Sequence, residues 1–266
     1  MNVGANGLIK GTIKGKDDVE LELFFFNVAD GKQLLTKKYK SSAMTIKKAA
    51  YRFVNEVILL LTGENFSFMF SKIAFVEKSG DVYSLVTIDF DGSDRKVIHS
   101  EKKIILLPEW SADGKKIYFT SYEQNNPNLY SIDVKTKQQK LISSYEGLNT
   151  SASSSPDNKS IALRLSKDGN AEIYIMNLQT GELNRMTKNM AIDTAPSFSP
   201  DGKEIAFVSN RSGNPHIYRL WTENPSKVER ITEQGKYNQD PDYSPDGKYI
   251  AFTGRDEFFV FNIFLF

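Results

Sequence analysis

Apolar and polar residues alternate along most of this chain with the two-residue period of half-buried strands, and the period lengthens once, after Thr45. The early alternating runs are Gly7 to Lys14, Val19 to Val28 and Lys32 to Lys40, with Val19-Glu-Leu-Glu-Leu the clearest of them. Ala29-Asp30-Gly31 separates the last two, and an Asp-Gly pair accepts the positive φ of a tight hairpin, so a meander is expected. From Thr45 the apolar residues Ile46, Ala49, Ala50, Phe53, Val54, Val57, Ile58 and Leu61 recur at three- and four-residue steps, while Lys47, Lys48, Arg52 and Glu56 fall elsewhere. That pattern predicts one amphipathic helix, capped by Thr45 and stopped at Gly63. Residues 1–70 are therefore read as a small α+β domain.

Residues 71–266 carry a repeat. Ile73, Ile117, Ile161, Ile205 and Ile250 head similar strands at steps of 44, 44, 44 and 45 residues. Ahead of four of them stand Ser111-Ala112-Asp113-Gly114, Ser155-Pro156-Asp157-Asn158, Ser199-Pro200-Asp201-Gly202 and Ser244-Pro245-Asp246-Gly247. Proline presets φ at one corner of a turn and Gly or Asn accepts the left-handed geometry at the next, so these are hairpins. Second strands follow at Leu129-Tyr130-Ser131-Ile132, Ile173-Tyr174-Ile175-Met176 and Ile217-Tyr218-Arg219-Leu220, and last strands end near Leu141-Ile142, Met186-Thr187 and Ile231-Thr232. Each period holds four antiparallel strands, A to D, the content of one propeller blade. The fold class expected is mainly β: a small α+β domain followed by an incomplete β-propeller of about four and a half blades. The first blade begins at B and the last stops inside C, giving eighteen expected strands, so a further blade or a partner is expected to cover the open edges.

Composition narrows the function classes. With 40% apolar residues, 25% charged residues and a net charge of +1, the chain lacks the basic excess of a nucleic-acid partner. It has no cysteine, which removes disulfides, thiolate metal sites and cysteine nucleophiles. The start carries no secretory signal pattern, and the longest apolar runs, Val57 to Leu61 and Phe258 to Phe266, fall far short of the roughly 20 residues of a membrane span. No membrane insertion is expected. Neither a Gly-x-Ser-x-Gly elbow nor a His-Glu-x-x-His pair is present, and the two histidines, His99 and His216, are read as surface or loop residues. Asp89-Phe-Asp91-Gly92-Ser-Asp94 misses calcium-loop spacing and aligns with a C to D hairpin, and Lys14-Gly15-Lys16 lacks the spacing of a phosphate loop. No catalytic residue, metal or cofactor is implied, and the chain is read as a non-enzyme.

Several phrases resemble the TolB family: Leu8-Ile9-Lys10-Gly11-Thr12-Ile13, Asn27-Val28-Ala29-Asp30-Gly31-Lys32-Gln33-Leu34, Leu61-Thr62-Gly63 and Ser71-Lys72-Ile73-Ala74-Phe75-Val76, followed by the four Ser-Pro-Asp-Gly-type blades in order. The resemblance implies a small α/β domain ahead of a six-bladed propeller, a periplasmic location, and a non-catalytic scaffold of the Tol-Pal envelope system. It further implies binding of the lipoprotein Pal at the propeller mouth, in support of outer-membrane integrity and cell division. The family contacts TolA through its extreme N-terminal segment, so a TolA-like partner is expected only where that segment is present. By the same comparison the export signal, the first stretch of the N-terminal domain and roughly the last blade and a half lack counterparts in these 266 residues. Tyr51 and Asn55 stand where the family commonly has His and Asp, and Ser154 replaces the aromatic found at Trp110, Phe198 and Tyr243.

Propellers bind through loops at the channel mouth, where the D to A and B to C connections gather. The D to A loops here are Tyr145 to Ser151, Asn189 to Ala195 and Gly235 to Asp240. Stacking the repeats groups Asn149, Asp193 and Asn238, then Thr150, Thr194 and Gln239, with Asp240 next and Arg211 in a flanking B to C loop. These residues are either a partner-binding ring or turn residues satisfying their own backbone. Two other readings stay open: an accessory propeller of a peptidase or other hydrolase, and a carbohydrate-binding propeller presenting Tyr122, Tyr145 and Tyr237.

Overall fold

The computed structural model describes residues 5–42, 45–65, 67–256 and 258–266. Alternation on both sides of the Asp30-Gly31 turn yields an antiparallel meander of β1 (Gly7–Lys14), β2 (Asp18–Asn27) and β3 (Gln33–Ser42). Asn27 Oδ1 accepts from the Ala29 amide and Asp30 Oδ1 from the Lys32 amide, which fixes the turn. Helix α1 (Ile46–Thr62) places Phe53 and Val57 against Phe25, with Leu23, Leu35 and Tyr39 around them. Its buried residues, Ala49, Phe53 and Val57, span about 12 Å of helix. Leu61, expected on the buried face, lies beyond that stretch and is exposed. Gly63 ends the helix at φ 74°, its amide donating to Leu59 O. Thr45 does not cap the start as expected. Its hydroxyl lies 2.7 Å from Ser41 Oγ and 2.9 Å from Ser42 Oγ and is engaged there instead.

The remaining strands form five consecutive antiparallel sheets. The first blade has β4 (Lys72–Ser79), β5 (Val82–Asp89) and β6 (Lys96–Glu101). The second has β7 (Ile105–Trp110), β8 (Lys116–Ser121), β9 (Asn128–Asp133) and β10 (Gln139–Ser143), and the third β11 (Asn149–Ser154), β12 (Ser160–Leu165), β13 (Glu172–Asn177) and β14 (Leu183–Arg185). The fourth has β15 (Asp193–Phe198), β16 (Glu204–Ser209), β17 (His216–Trp221) and β18 (Asn224–Arg230), and the fifth β19 (Asn238–Tyr243), β20 (Ile250–Arg255) and β21 (Phe261–Leu265). The architecture is mainly β with an incomplete propeller, and the described residues contain the eighteen propeller strands that the repeats predict.

Two compact units divide the chain: Met1–Ile73 with Ile88–Arg95, and Ala74–Thr87 with Lys96–Phe266. The N-terminal unit thus takes in the tip of the β5–β6 hairpin. Within it, Tyr51 donates to Asp91 Oδ2 at 2.6 Å, Lys47 pairs with Asp91, and the Tyr51 ring meets Phe90 edge-on. The Lys47 and Tyr51 donors hold the Asp91 carboxyl well below the usual carboxylate range. Asn55 donates to Asn65 Oδ1.

In four blades the A to B hairpin repeats one set of bonds. Ser111, Ser155, Ser199 and Ser244 each donate to the aspartate two residues on, at 2.6–2.8 Å, and each accepts from the amide five residues on. The aspartate accepts from the following lysine amide, and the corner falls at positive φ on Gly114, Asn158, Gly202 and Gly247. With register fixed, the B strand aims alternate residues at opposite neighbours. Ile161, Leu163 and Leu165 pack with Tyr118 and Leu129 of the second blade, while Ala162 packs with Ile205 and Phe207 of the fourth. The core of the propeller unit therefore lies between blades rather than within them. Ile117, Ile161, Ile205 and Ile250 are all buried in such interfaces. Ile73 shares their column but is exposed, because that column faces the preceding blade and, among the described residues, no sheet packs there. Trp110, Phe198 and Tyr243 each cover one of these clusters, whereas Ser154 leaves Ile142, Leu178 and Leu183 to flank its own.

Phe207 is completely buried between the third and fourth blades. Phe207→Ala is expected to cost about 3–5 kcal/mol, read as a lower urea midpoint with an unchanged slope; a loss below about 1 kcal/mol would contradict the inter-blade core.

Candidate functional site: the propeller mouth

The inner strands are kinked at one position, which is followed by proline in three of the four: Pro108, Pro196 and Pro241. Pairing with the B strand slips between Leu106 and Glu109, Thr150 and Ser153, Thr194 and Ser197, and Gln239 and Asp242. At each slip a residue other than glycine takes positive φ: Leu107 (53°), Ser151 (53°), Ala195 (48°) and Asp240 (50°). Such backbone is unfavourable for an L-residue, so its fourfold recurrence marks a geometry that the surrounding sheet imposes. The four bulges, Leu107–Glu109, Ser151–Ser153, Ala195–Ser197 and Asp240–Asp242, line a cavity of about 220 Å³. Ser153 Oγ accepts from the Phe198 amide, Ser197 Oγ accepts from the Tyr243 amide, and Ser197 donates to Asp242 Oδ1, so each serine links its inner strand to the next.

The first polar column lies at the start of the inner strands and is buried. Asn149 Oδ1 accepts from Ser143 Oγ and the Tyr145 amide, while its Nδ2 donates to Tyr145 O and Gly147 O. Asn238 Nδ2 donates to Gln234 O at 2.9 Å. Asp193 accepts from Asn189 Nδ2 and from Arg211, whose guanidinium also stacks over Phe207 and Tyr218. These three side chains and Arg211 hold the loops in shape. In the second column the buried Thr150 and the half-buried Thr194 both accept from Arg164, and the half-buried Gln239 donates to the Tyr237 hydroxyl. Asp240 is exposed at the fourth bulge.

A further column went unread in the sequence, although the same spacing contains it. Asn128, Glu172 and His216 open the C strands 44 residues apart, and all three are buried. Glu172 Oε1 accepts from the Asn189 amide and pairs with Arg185. His216 is not a surface or loop residue: it lies in β17 between Thr232, Arg230 and Asn238, and burial, followed by the Arg230 charge, lowers its pKa. His99 lies half-buried in β6, with Nε2 3.2 Å from Glu101 Oε2. Among the described residues no group of three or more His, Cys, Asp or Glu is placed to hold a metal, and no helix is long and apolar enough to cross a membrane.

The TolB beta propeller domain family matches residues 59–265 of the chain. The chain belongs to the TolB propeller family. The TolB of Syntrophus aciditrophicus (strain SB), a Tol-Pal system protein, is 39% identical over 132 residues, 48% of this chain and 29% of that relative. That of Anaeromyxobacter dehalogenans (strain 2CP-C) is 34% identical over 127 residues, 47% of this chain and 29% of the relative. The crystal structure of TolB from Acinetobacter baumannii superposes with a TM-score of 0.90 at 34% identity, covering 98% of this chain and 66% of that one. The matched stretch thus spans under a third of the curated relatives' length and about two thirds of the solved chain. Every mouth column described above falls within the TolB-like stretch.

In this TolB-like channel Glu109 and Asp242 occupy the same position of their blades. The inner strands displace part of the water around Glu109, and Asp242 adds its negative charge, so the Glu109 carboxyl titrates above the usual glutamate range. Both side chains stay open to channel water, which limits the rise. The folded protein then keeps a proton that the unfolded chain releases, and stability falls as pH rises from the ordinary glutamate value through the raised one. Asp242→Asn is expected to move the Glu109 midpoint, followed by carboxyl ¹³C NMR, back toward the ordinary value and to flatten that loss; an unchanged midpoint would refute the coupling.

Proposed function

We propose that this chain is a non-catalytic interaction scaffold of a Tol-Pal system, working in the periplasm and binding a Pal-like lipoprotein at the propeller mouth in support of outer-membrane integrity and cell division. The observation that carries the reading is the continuity of the TolB likeness across residues 59–265, which include all four kinked inner strands. A cavity walled by several blades suits recognition of another protein's projecting loop, because hydroxyl, amide and carboxyl groups from separate strands converge on it. Thr194, Gln239 and Asp240 are the contacts proposed at its rim, with the buried Thr150, Asn149, Asp193 and Asn238, together with Arg211, holding the strands and loops that carry them. A TolA-like partner belongs to the reading only with the family's extreme N-terminal segment. A carbohydrate-binding mouth would need free aromatic faces. Tyr237 is instead packed edge-on against Phe261 and bonded to Gln239, and Lys167 lies over the Tyr145 ring.

Calorimetric titration with the soluble domain of the Pal-like lipoprotein from the same organism tests the proposal. Binding at micromolar affinity or tighter is expected, weakened about tenfold or more by Gln239→Trp at the rim and left unchanged by Ser226→Trp on exposed β18. Absence of binding, or equal effects of the two substitutions, would sink it.

A further inference from the structure

Arg164 stands near the mouth end of β12, opposite Thr150 in the A to B pairing. Its Nε donates to Thr150 Oγ1 at 2.8 Å, and one terminal nitrogen donates to Thr194 Oγ1 of the next blade at 2.9 Å. Two hydroxyls from adjacent inner strands therefore fix the plane of this guanidinium. They offer it no counter-charge. Arg185, Arg211 and Arg219 reach Glu172, Asp193 and Glu229 respectively, whereas Arg164 forms no ion pair among the described residues.

The isolation has a physical cost. Arg164 is half-buried, burial pulls its pKa down, and the ionisable group that acts on it in the opposite direction is Tyr122, a phenol. A guanidinium keeps its charge at any physiological pH, and a partly desolvated charge without a partner is unfavourable. Two of its five N–H groups are used by the threonines, and the others have no partner among the described residues. A guanidinium already oriented, partly dried and short of an acceptor is one half of a fork-to-fork carboxylate clasp.

We infer that Arg164 is a carboxylate-binding residue of the mouth, receiving an acidic group of the protein that docks there. The inference rests on the mouth being the partner-binding face, and it adds the chemistry that the partner must present. The carboxylate would release Arg164 from its charge imbalance on docking and so favour one register of the partner over others.

Side-chain ¹⁵N NMR of the full chain tests the site apart from any partner. The Arg164 Nε–Hε resonance, assigned by its loss in Arg164→Lys, is expected to shift saturably with sodium acetate and not with sodium chloride of equal ionic strength. The exposed Arg52 serves as comparator. No acetate response, a response shared equally with Arg52, or a response to inorganic phosphate alone would overturn the inference. In the partner arm, Arg164→Met is expected to weaken binding of the Pal-like lipoprotein about tenfold or more, with Arg164→Lys in between as charge is kept and the fork lost. Neutralising the partner's acidic side chains one at a time, against masking its C-terminus, identifies the carboxylate; loss in neither overturns the inference. Equal binding by wild type and Arg164→Met overturns it while leaving the proposed function standing. Acetate saturation in a protein that ignores the lipoprotein does the reverse.

Discussion

A serine hydroxyl at the inner hairpin of four blades accepts from the amide five residues on and donates to the aspartate two residues on. Each bond contributes only about 1 kcal/mol, yet together they set the register of the A strand on the B strand. A slip of one residue would turn the A strand over against a B strand held by its C-strand partner, carrying Ala152 out of the cluster it forms with Ile161, Leu163 and Leu165. Since the apolar clusters lie between blades, no blade carries a core of its own, and the stability of each depends on its neighbours.

The same register generates the site. Once the outer part of each inner strand is pinned by its serine, the kink at Leu107, Ser151, Ala195 and Asp240 displaces the mouth end, and four such kinks wall one cavity. The loops above are then held from below by buried polar groups, Asn149, Glu172, Asp193, His216 and Asn238, whose hydrogen bonds go to loop backbone, to neighbouring side chains such as Asn189 and Arg211, and to one another. Their bonds tie the loops to the strands beneath, although Glu172 Oε2 and Asp193 Oδ1 are buried without a hydrogen-bond partner among the described residues. Thr150, buried, and Thr194, half-buried, are joined through Arg164, which ties the third inner strand to the fourth.

The blades were legible in the sequence because their turns need particular residues: Ser, Asp and Gly or Asn recur where hydrogen bonds and positive φ demand them. The bulges were marked only by a proline after the kinked residue in three of the four inner strands, Pro108, Pro196 and Pro241, since Leu, Ser, Ala and Asp at the kink itself share no side-chain chemistry. Helix α1 was visible in its period, but its cap was not, because Thr45 had two serines within reach that competed for its hydroxyl. His216 was misjudged for a related reason: a histidine before an Ile-Tyr strand looks like loop until the column of Asn128 and Glu172 shows that position to be buried. Nothing local distinguishes Arg164 from a solvated arginine, as its two partners lie 14 and 30 residues away.

Amide hydrogen exchange on the complex tests the account most directly. Adding the soluble Pal-like lipoprotein should slow exchange at Thr150–Ser153, Thr194–Ser197 and Gln239–Asp242, the kinked ends of three inner strands, and leave the outer strands β10, β14 and β18 as they were. Protection on those outer strands with the inner bulges unchanged would contradict the mouth as the binding face.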